Sequence, residues 1–541
     1  MLRICLLLIL LPLFGQAQIS LTSSNLPIVE ISTNGQEIPD EPKITAQMQV
    51  RFKPNGERNY LTDSPSHYNG LIGIERRGST SDFFSDKKPY SVELRDTEGE
   101  DEDFALLGMP EEADWSFIAP FNDKSLIRDA LLYHLARSIM PWAPRTQFVE
   151  LILNGNYQGI YVVTERIKRG KDRVNVAKLK TTDLAGDSLT GGYILKIDKA
   201  EGDPAGAWGS PYPSIPGGWQ NTLWQVHYPK IEDLQDVQFN YIEDWITEFE
   251  TAMSGPEFAD TLLGYPHYLD VTSFVDFTLL NELAKNVDAY RISTFFHKNR
   301  DDVDPKLHAG PVWDFNIAFG NCNYCGAESA AGWQILDFNV LCGNDGWVNH
   351  FWWGKMWQDP QYRKKLKDRW QELRTGPLST DTIMYVIDSL SNLVNESQER
   401  NFQRWPVLNT WVWPNVFCCG PYDAHVDYLR TWIQYRLAWM DATAKTLYVG
   451  EYNAEKRFET QVFPNPAAAE INFKMYLHYN DEVTIRIFDA MGRWRQTLEY
   501  SPEFNGESVL NQPINLGPGV YFYEVNIYGK RESTGSFVVV K

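Results

Sequence analysis

An aspartate and an asparagine interrupt a short apolar segment in the second half of the chain, where a buried strand would carry apolar side chains. The segment runs from Ala309 to Asn321, and the two polar residues are Asp314 and Asn316. Residues two positions apart point to the same side of an extended chain, and neighbouring oxygen ligands suit a hard cation such as Mg²⁺. The alternative is a strand that ends in a turn, with Asp314 capping a neighbouring helix, because satisfied polar residues are common at strand ends.

A second aspartate is brought to the same place by the elements that precede this segment. Asp288 follows a nearly apolar stretch (272–284) that predicts a buried helix, and strands are predicted at 291–298 and 307–313. If the two strands pair as a hairpin, their outer ends meet and Asp288 lies beside Asp314. The sequence therefore predicts two carboxylates and an amide at one end of a sheet.

The turn between these two predicted strands is itself acidic. Asp301, Asp302 and Asp304 could bind Ca²⁺ through their carboxylates. The alternative is a hairpin tip that is charged for solubility.

A basic turn rich in small residues and hydroxyl groups is predicted near the N-terminus, between two strands. It includes Arg77 and Ser79, and Lys88 follows within the next dozen residues. Backbone N–H groups and hydroxyls in such a turn can surround anionic oxygens while a cationic side chain supplies charge. Glu165, at the end of a predicted β-hairpin, could pair with Lys88 or with the neighbouring Arg166. An exposed hairpin with solvated cations is the alternative.

The composition is that of a soluble protein with several domains. The chain has 541 residues, of which 43% are hydrophobic and 22% charged, and domains usually contain about 100–200 residues each. The formal net charge of −21 argues against a nucleic acid or an anionic lipid surface as a partner. The glycine-, proline- and tryptophan-rich stretch from 202 to 220 predicts a long surface loop or lid.

Residues 1–17 have the form of a secretory signal peptide, with a basic start, an apolar core and small residues before the expected cleavage site. No later stretch approaches the run of about 18 apolar residues that crosses a bilayer, so we expect no transmembrane helix in the mature protein. Export favours disulfides with one thiol left over, and a zinc site at a Cys-x-x-Cys motif is the alternative. The cysteines concerned are Cys322, Cys325, Cys342, Cys418 and Cys419.

Protein kinases place their catalytic groups in a comparable order. A catalytic-loop aspartate accepts the proton of the substrate hydroxyl, a polar residue five positions later helps to hold metal, and a second aspartate beyond a hairpin binds Mg²⁺. By spacing, these positions are Asp288, Ser293 and Asp314. Lys88 would contact the phosphates and Glu165 would orient Lys88.

Five segments, in order, carry a more specific signal: Arg76–Ser81, Lys87–Tyr90, Gly159–Glu165, Asn286–Asp288 and Trp313–Gly320. Together they resemble the CotH kinase family, over most of residues 27–445. The resemblance implies an α+β, atypical protein-kinase-like fold with a β-rich N-terminal part and an α-rich C-terminal part. It also implies ATP and Mg²⁺ or Mn²⁺ as cofactors, with a serine or threonine hydroxyl of an envelope or surface protein as the acceptor.

Roles for single residues follow from the same resemblance. Many members have Asn where Ser293 stands and Asp where Asn316 stands, so this site carries less negative charge and should bind metal more weakly. The implied catalytic residues are Asp288 and Lys88, the implied cofactor-binding residues are Arg77, Ser79, Lys88, Glu165 and Ser293, and the implied metal ligands are Asp314 and Asn316.

The last part of the chain has a different pattern, with short alternating strands and turns from 458 to 541 after a polar linker at 446–457. This pattern predicts a small all-β, immunoglobulin-like sandwich. The Phe463–Pro466 opening, the Leu516–Tyr523 strand and the final Val538–Lys541 resemble a type IX secretion sorting domain. That resemblance implies a partner in the type IX secretion machinery and a location at the outer-membrane surface or outside the cell.

Two functions of different class fit these observations. The first is an exported kinase that transfers the ATP γ-phosphate to Ser or Thr hydroxyls of an envelope or surface protein. The second is a catalytically weak or inactive surface protein of the same fold that binds glycan or protein partners. A metal-dependent hydrolase would be expected to show a histidine-rich cluster, which the nine scattered histidines do not provide.

Overall fold

A computed structural model describes most of the chain. The chain divides into two compact units, and the boundary in sequence lies between Ala444 and Lys445. The predicted signal peptide (1–17), Ser79 and most of the predicted linker lie outside the described residues. The described residues are 19–54, 56–78, 83–200, 206–448, 460–468, 470–477, 481–501, 506–513, 515–527 and 530–540.

The first unit begins with a seven-stranded closed β-barrel, in the strand order β2-β3-β5-β6-β7-β9-β8. Alternate side chains fill its interior, as Met48 and Val50 of β3 do with no exposed surface. All neighbours are antiparallel except β8 and β2, which close the barrel in parallel. A short pair, β1 (Ser23–Ser24) and β4 (Asn59–Tyr60), lies outside it. The barrel strands are β2 Ile28–Ser32, β3 Ile44–Arg51, β5 Tyr68–Arg76, β6 Tyr90–Arg95, β7 Asp114–Ile118, β8 Thr146–Leu153 and β9 Asn156–Glu165.

The predicted hairpin before Glu165 is present as β8 and β9. Its two-residue loop is Asn154–Gly155, and both residues have positive φ, 51° and 74°. Such loops match the twist of the paired strands when both central residues tolerate positive φ, as Asn and Gly do.

A five-stranded antiparallel sheet follows, in the order β11-β12-β10-β13-β14. The hairpin predicted before Asp314 is its edge pair, β13 and β14, with Phe296 opposite Ala309. The register of β10 and β13 places Ile197 opposite Thr294, so the residues that follow β10 and precede β13 lie at the same end of the sheet. The strands are β10 Tyr193–Ile197, β11 Ala207–Pro213, β12 Asn221–Tyr228, β13 Thr294–Lys298 and β14 Leu307–Ala309.

The surface loop predicted at 202–220 is wrong in its middle part, and its first residues, 202–205, lie outside the described residues. Residues 207–213 form β11, where Trp208 is buried and stacks on Trp224 of β12 with ring centroids 6.2 Å apart. The apolar area of this pair outweighs the turn signals of the surrounding glycines and prolines.

Helices make up most of the rest of the first unit. The buried helix predicted before Asp288 is present as α4; the Asp270 carboxylate caps it by accepting the Ser273 N–H at 2.7 Å, and Lys285 ends it with φ 40°. The helices are α1 Arg128–Ala136, α2 Asp236–Ser254, α3 Tyr265–Tyr268, α4 Val271–Ala284, α5 Gln334–Leu341, α6 Phe351–Gln358, α7 Pro360–Arg374, α8 Thr380–Arg404 and α9 Tyr422–Leu447.

A fully buried ion pair joins the end of α4 to α9. The Arg436 guanidinium donates to the Glu282 carboxylate at 3.0 Å and to the Glu282 carbonyl at 2.7 Å, and neither side chain has exposed surface. The same carboxylate accepts the backbone N–H groups of Gln334 and Ile335, both at 2.8 Å, and the Tyr290 hydroxyl at 3.0 Å. One buried charge pair therefore fixes α4, the start of α5 and α9 against one another.

The second unit contains two antiparallel sheets, β15-β16-β19 and β18-β17-β20-β21. Their inner faces share one apolar core, in which Phe473 packs edge-on against Tyr523 with ring centroids 5.4 Å apart. The predicted all-β character is thus confirmed. The strands are β15 Gln461–Phe463, β16 Glu470–Leu477, β17 Val483–Asp489, β18 Trp494–Tyr500, β19 Gly506–Pro513, β20 Gly519–Ile527 and β21 Lys530–Val539.

Replacing Arg436 by leucine should destabilise the first unit by about 3–5 kcal/mol, because the Glu282 charge would stay buried without its partner. Arg430→Leu is the matched control on the same helix; its ion pair with Asp388 is partly exposed, so the loss should be about 1 kcal/mol or less. Urea unfolding followed by tryptophan fluorescence measures both. Equal losses in the two variants would contradict the role given to the Glu282–Arg436 pair.

Candidate functional site

A cavity of about 1040 Å³ is lined by the end of the barrel and the end of the five-stranded sheet. Its walls include Asp288, Ser293, Asp314 and Asn316 from the second half of the chain and Arg77 from the end of β5. The structure therefore brings together five residues that the sequence singled out.

Asp288 lies just after α4 and is held from two sides. Its carboxylate accepts a hydrogen bond from Arg291 at 2.6 Å, and its backbone N–H donates to the Asn286 side chain at 3.2 Å. Burial raises the pKa of Asp288, and the charge of Arg291 opposes that rise. A carboxylate with a raised pKa is a stronger base than a solvated one, and Arg291 keeps it oriented.

Asp314 adopts a left-handed backbone conformation, with φ 65°. Its N–H donates to the Tyr133 hydroxyl at 3.0 Å, and its carbonyl accepts from Asn286 at 3.2 Å. The next N–H, that of Phe315, donates to the Asp129 carboxylate at 2.7 Å. Helix α1 and Asn286 thus stabilise a conformation that a non-glycine residue rarely adopts.

The carboxyl group of Asp314 is electrostatically coupled to that of Asp288. Burial, followed by the negative charge of Asp288, raises the pKa of Asp314 to about 6. Both residues line the same cavity, although they are distant in sequence. Asn286 touches the backbone of both residues, which explains why an asparagine stands two positions before Asp288.

Positive φ values recur around the cavity. Tyr290 (71°), Ser293 (49°), Asp314 (65°) and Phe319 (51°) are all non-glycine residues in this conformation. Each such residue costs about 1–3 kcal/mol, and strain of this kind clusters at functional sites, where the surrounding packing holds it in place.

Asp198 and Arg291 act on the carboxylates of the cavity, and the sequence did not single them out. Asp198 directly follows β10 and lines the cavity, and its charge contributes to the raised pKa of Asp288 and Asp314. Arg291, between the helix and β13, is the ion-pair partner of Asp288. A polar residue at the end of an apolar strand was the available signal for Asp198, but only the strand register shows which other residues it meets.

Cationic side chains also line the cavity. They are Arg77, Arg166, Lys196 and Lys199. Burial, followed by the charge of Arg166, lowers the pKa of Arg77 to about 10. Within the described part of the chain, Arg77 Nη1 is buried without a hydrogen-bond partner, and its guanidinium lies 5.5 Å from the centre of the Trp313 ring. A buried guanidinium N–H without a partner suits an anionic oxygen of a ligand.

The predicted pairing of Glu165 with Lys88 is wrong, and so is the alternative pairing with Arg166. The buried Glu165 carboxylate accepts from the side chain and the backbone N–H of Arg145, both at 2.8 Å. Arg166 instead lies 3.6 Å from Asp114. Glu165 sits within the barrel and is not among the described residues that line the cavity.

The lysine pair also differs from expectation. Lys87 is buried, with its ammonium group bonded to the carbonyl oxygens of Pro120 and Ile160 and to Asn401, and burial lowers its pKa. Lys88 is partly exposed and is not among the described residues of the cavity wall. The cationic side chains that line the cavity are thus Arg77 together with arginines and lysines that spacing alone did not single out.

The Ca²⁺ site considered for the hairpin tip is not formed. Asp301 pairs with Lys298 at 2.6 Å, Asp302 with Arg300 at 2.6 Å and Asp304 with His308 at 2.8 Å. Each carboxylate has a side-chain partner that is or can become cationic, so the acidic turn neutralises itself.

The donor set around Asp314 fits Mg²⁺ or Mn²⁺. Among the described residues, no group of three or more His, Cys, Asp or Glu side chains could hold a metal ion. Mg²⁺ does not need one, because it is usually held by one or two carboxylates together with substrate phosphates and water. The carboxylate of Asp314, the amide oxygen of Asn316 and the neighbouring carboxylate of Asp288 are oxygen donors of this kind.

Four cysteines form disulfides, and one thiol remains. Cys325 is bonded to Cys342 and Cys418 to Cys419, while Cys322 is free and buried. Disulfides with one thiol left over were expected. The zinc alternative fails because Cys325 is engaged with Cys342.

One family profile matches most of the chain. The family profile described as CotH kinase protein matches residues 74–440. This range contains every cavity residue named above. The chain belongs to the CotH kinase family. A second profile, the secretion system C-terminal sorting domain, matches residues 461–541.

The sorting domain of this CotH family member indicates export to the cell surface or the extracellular space, and contact with the secretion machinery. In the part of the chain that the structure describes, no helix is long and apolar enough to cross a membrane. No curated protein matches the chain.

Solved structures give only distant similarity. An uncharacterized protein from Bacillus anthracis is 18% identical, with 14% of this chain and 72% of that one covered and a TM-score of 0.12. The alkylpurine DNA glycosylase AlkC of Pseudomonas fluorescens, bound to DNA containing an abasic site analogue, is 17% identical, with 35% of this chain and 54% of that one covered and a TM-score of 0.13. At TM-scores this low, neither similarity bears on the fold.

Asp129, which holds the Phe315 N–H, should make stability depend on pH. Burial, followed by the charge of Asp314, raises the pKa of Asp129 to about 8. Between the unfolded value near 4 and about pH 8, the folded state keeps a proton that the unfolded chain releases, so unfolding free energy falls as pH rises, by at most ~1.4 kcal/mol per pH unit.

Asp129→Asn has no proton to lose and keeps an acceptor for the Phe315 N–H. We expect its melting temperature relative to the wild type to rise steadily from pH 5 to pH 8, in thermal melts followed by circular dichroism. A constant difference across that range would contradict a raised pKa at Asp129.

Proposed function

We propose that this protein is an exported kinase that transfers the γ-phosphoryl group of ATP to a serine or threonine hydroxyl of an envelope or surface protein. The observation that carries the proposal is the cavity that Asp288 and Asp314 line together with Arg77 and other cationic side chains. Phosphoryl transfer needs positioning and charge stabilisation more than covalent chemistry, and this cavity supplies both signs of charge.

Asp288 would accept the proton of the acceptor hydroxyl. In the transfer, the bond between the γ-phosphorus and the β–γ bridging oxygen breaks, a bond from the acceptor oxygen to the γ-phosphorus forms, and ADP leaves with the bridging oxygen. The hydroxyl proton passes to the Asp288 carboxylate and then to solvent. The raised pKa of Asp288 supports this role, and Arg291 holds the carboxylate in place at 2.6 Å.

The phosphates would lie beside Arg77, which offers a buried N–H that has no partner among the described residues. Arg166 and Lys196 line the same cavity. A divalent ion would be held by Asp314 and Asn316, with the phosphates completing its ligands; when bound, it neutralises charge on the transferred group. Lys88, expected to contact the phosphates, is replaced in this proposal by Arg77.

The family's atypical kinase-like fold is part of this proposal. The barrel would correspond to the β-rich part and the helices α4 to α9 to the α-rich part, with the cavity between them. Export through the sorting domain would bring the kinase to acceptors at or beyond the outer membrane.

A second candidate is a binding protein of the same family that transfers no phosphate. Asn316 and Ser293 favour it, because each supplies a neutral oxygen where a charged or amide ligand is common in the family. Fewer negative charges should weaken metal affinity. The two candidates differ in whether transfer occurs.

When the full chain is incubated with γ-labelled ATP and Mn²⁺, label should appear on the chain itself or on proteins of an added envelope extract. Asp288→Asn should reduce the rate at least about 100-fold, since a general base contributes roughly 10²–10⁴-fold. Asp314→Ala should abolish transfer and also the thermal shift caused by Mn²⁺ and ATP. Asp302→Ala, an exposed acid at the hairpin tip, is the matched control and should change neither.

Label that persists in Asp314→Ala would disprove the site assignment. A nucleotide-induced thermal shift without any transfer would favour the binding protein over the kinase.

A further inference from the structure

Four aromatic rings form a continuous row from the protein surface into the cavity. We call the set Phe83, Phe84, Trp413 and Tyr324 the aromatic row. Ring centroids are 4.9 Å apart between Phe83 and Phe84, 5.0 Å between Phe84 and Trp413 and 5.9 Å between Trp413 and Tyr324. The last three rings line the cavity.

The outer end of the row is exposed. Phe83 is 80% and Phe84 56% exposed to solvent. Adjacent large apolar rings at this exposure form a patch rather than a scattered surface residue, and such patches mark binding surfaces.

The inner end of the row lies in the same cavity as Asp288. Tyr324 and Asp288 both line its wall. The row therefore begins in solvent and ends in the cavity that holds the group proposed to accept the hydroxyl proton.

The row is fixed to the segment that carries Asp314. The Asn323 N–H donates to the Pro414 carbonyl at 3.0 Å, and the Asn415 side chain donates to Asn321 at 2.9 Å. The Trp413–Asn415 segment is thus hydrogen-bonded to Asn321 and Asn323, a few residues after Asp314.

The chemistry of the cavity indicates which substrate the rings face. The cationic side chains Arg77, Arg166 and Lys196 suit phosphates. The rings suit apolar groups, and they line the same cavity as the proposed base, which must contact the acceptor hydroxyl. A purine base would cover one ring, whereas a row of rings can contact several apolar side chains of one ligand.

An extended peptide has the required spacing. Alternate residues of an extended chain point to the same side and lie about 6.6 Å apart, whereas neighbouring rings of the row are 4.9–5.9 Å apart, so each such side chain would contact one or two rings. We propose that the aromatic row binds an extended segment of the acceptor protein that carries aromatic or large aliphatic side chains at alternate positions near the acceptor hydroxyl. This inference rests on the proposed kinase function and names its substrate class.

The test uses the full chain and an array of synthetic serine peptides in which each position flanking the serine is varied, with γ-labelled ATP and Mn²⁺. Wild-type protein should label peptides with Trp, Phe or Leu at alternate flanking positions at least about threefold more than glycine-containing peptides, in line with the strength of single ring contacts. Phe84→Ala and Trp413→Ala should lose this preference, and Phe84→Tyr should keep it. Trp219→Ala, which removes a 73% exposed ring outside the row, is the matched control and should behave as wild type.

Two further readouts separate the possible failures. ATP affinity, measured by titration calorimetry, should be unchanged in Phe84→Ala; a large loss would assign the rings to the adenine base and overturn the inference. Fluorescence anisotropy of the same peptides reports binding without transfer.

Labelling of the array by wild-type protein without an apolar preference would overturn the inference and leave the kinase function standing. If wild-type protein transfers nothing but binds the apolar peptides through Phe84, the kinase function fails and the peptide site stands. Absence of both would overturn both.

Discussion

The buried ion pair of Glu282 and Arg436 is the constraint on which the candidate site depends. It fixes the C-terminal end of α4, and the chain leaves that end directly into Asn286 and Asp288. The carboxylate also accepts the Tyr290 hydroxyl, so it holds the strained turn that follows Asp288. A charge pair without exposed surface is costly to form in an apolar interior, and here further hydrogen bonds to the backbone and to Tyr290 satisfy it.

A second set of hydrogen bonds fixes the other half of the site. Asp129 and Tyr133 of α1 hold consecutive N–H groups at Phe315 and Asp314, and Asn286 holds the Asp314 carbonyl. The two carboxylates are therefore supported by separate helices, α4 and α1, and Asn286 joins the two supports. This arrangement holds two like charges in one cavity, and burial together with the charge of Asp288 raises the pKa of Asp314.

The sequence predicted the features that depend on local pattern. Hairpin signals and strand alternation were sufficient to pair β13 with β14 and so to bring Asp288 near Asp314. They could not choose between Lys87 and Lys88 or find the partner of Glu165, because those contacts join strands and loops far apart in the chain. Arg145, which pairs with Glu165, and Asp198, which joins the carboxylates, reach their positions through barrel and sheet register that periodicity does not specify.

Composition misled in one segment for a physical reason. The stretch around Trp208 has the glycines and prolines of a loop, yet the burial of Trp208 against Trp224 makes residues 207–213 a strand. Trp413, by contrast, belongs to the aromatic row at the cavity. Burial and neighbours, rather than residue type, distinguish the two uses.

The most direct test of the proposed metal and nucleotide site is a crystal structure of the full chain grown with Mn²⁺ and a non-hydrolysable ATP analogue. We expect an anomalous manganese peak within coordination distance of Asp314, with the triphosphate against Arg77 and the γ-phosphate facing Asp288. A manganese peak at the Asp301–Asp304 turn, or a nucleotide bound outside this cavity, would contradict it.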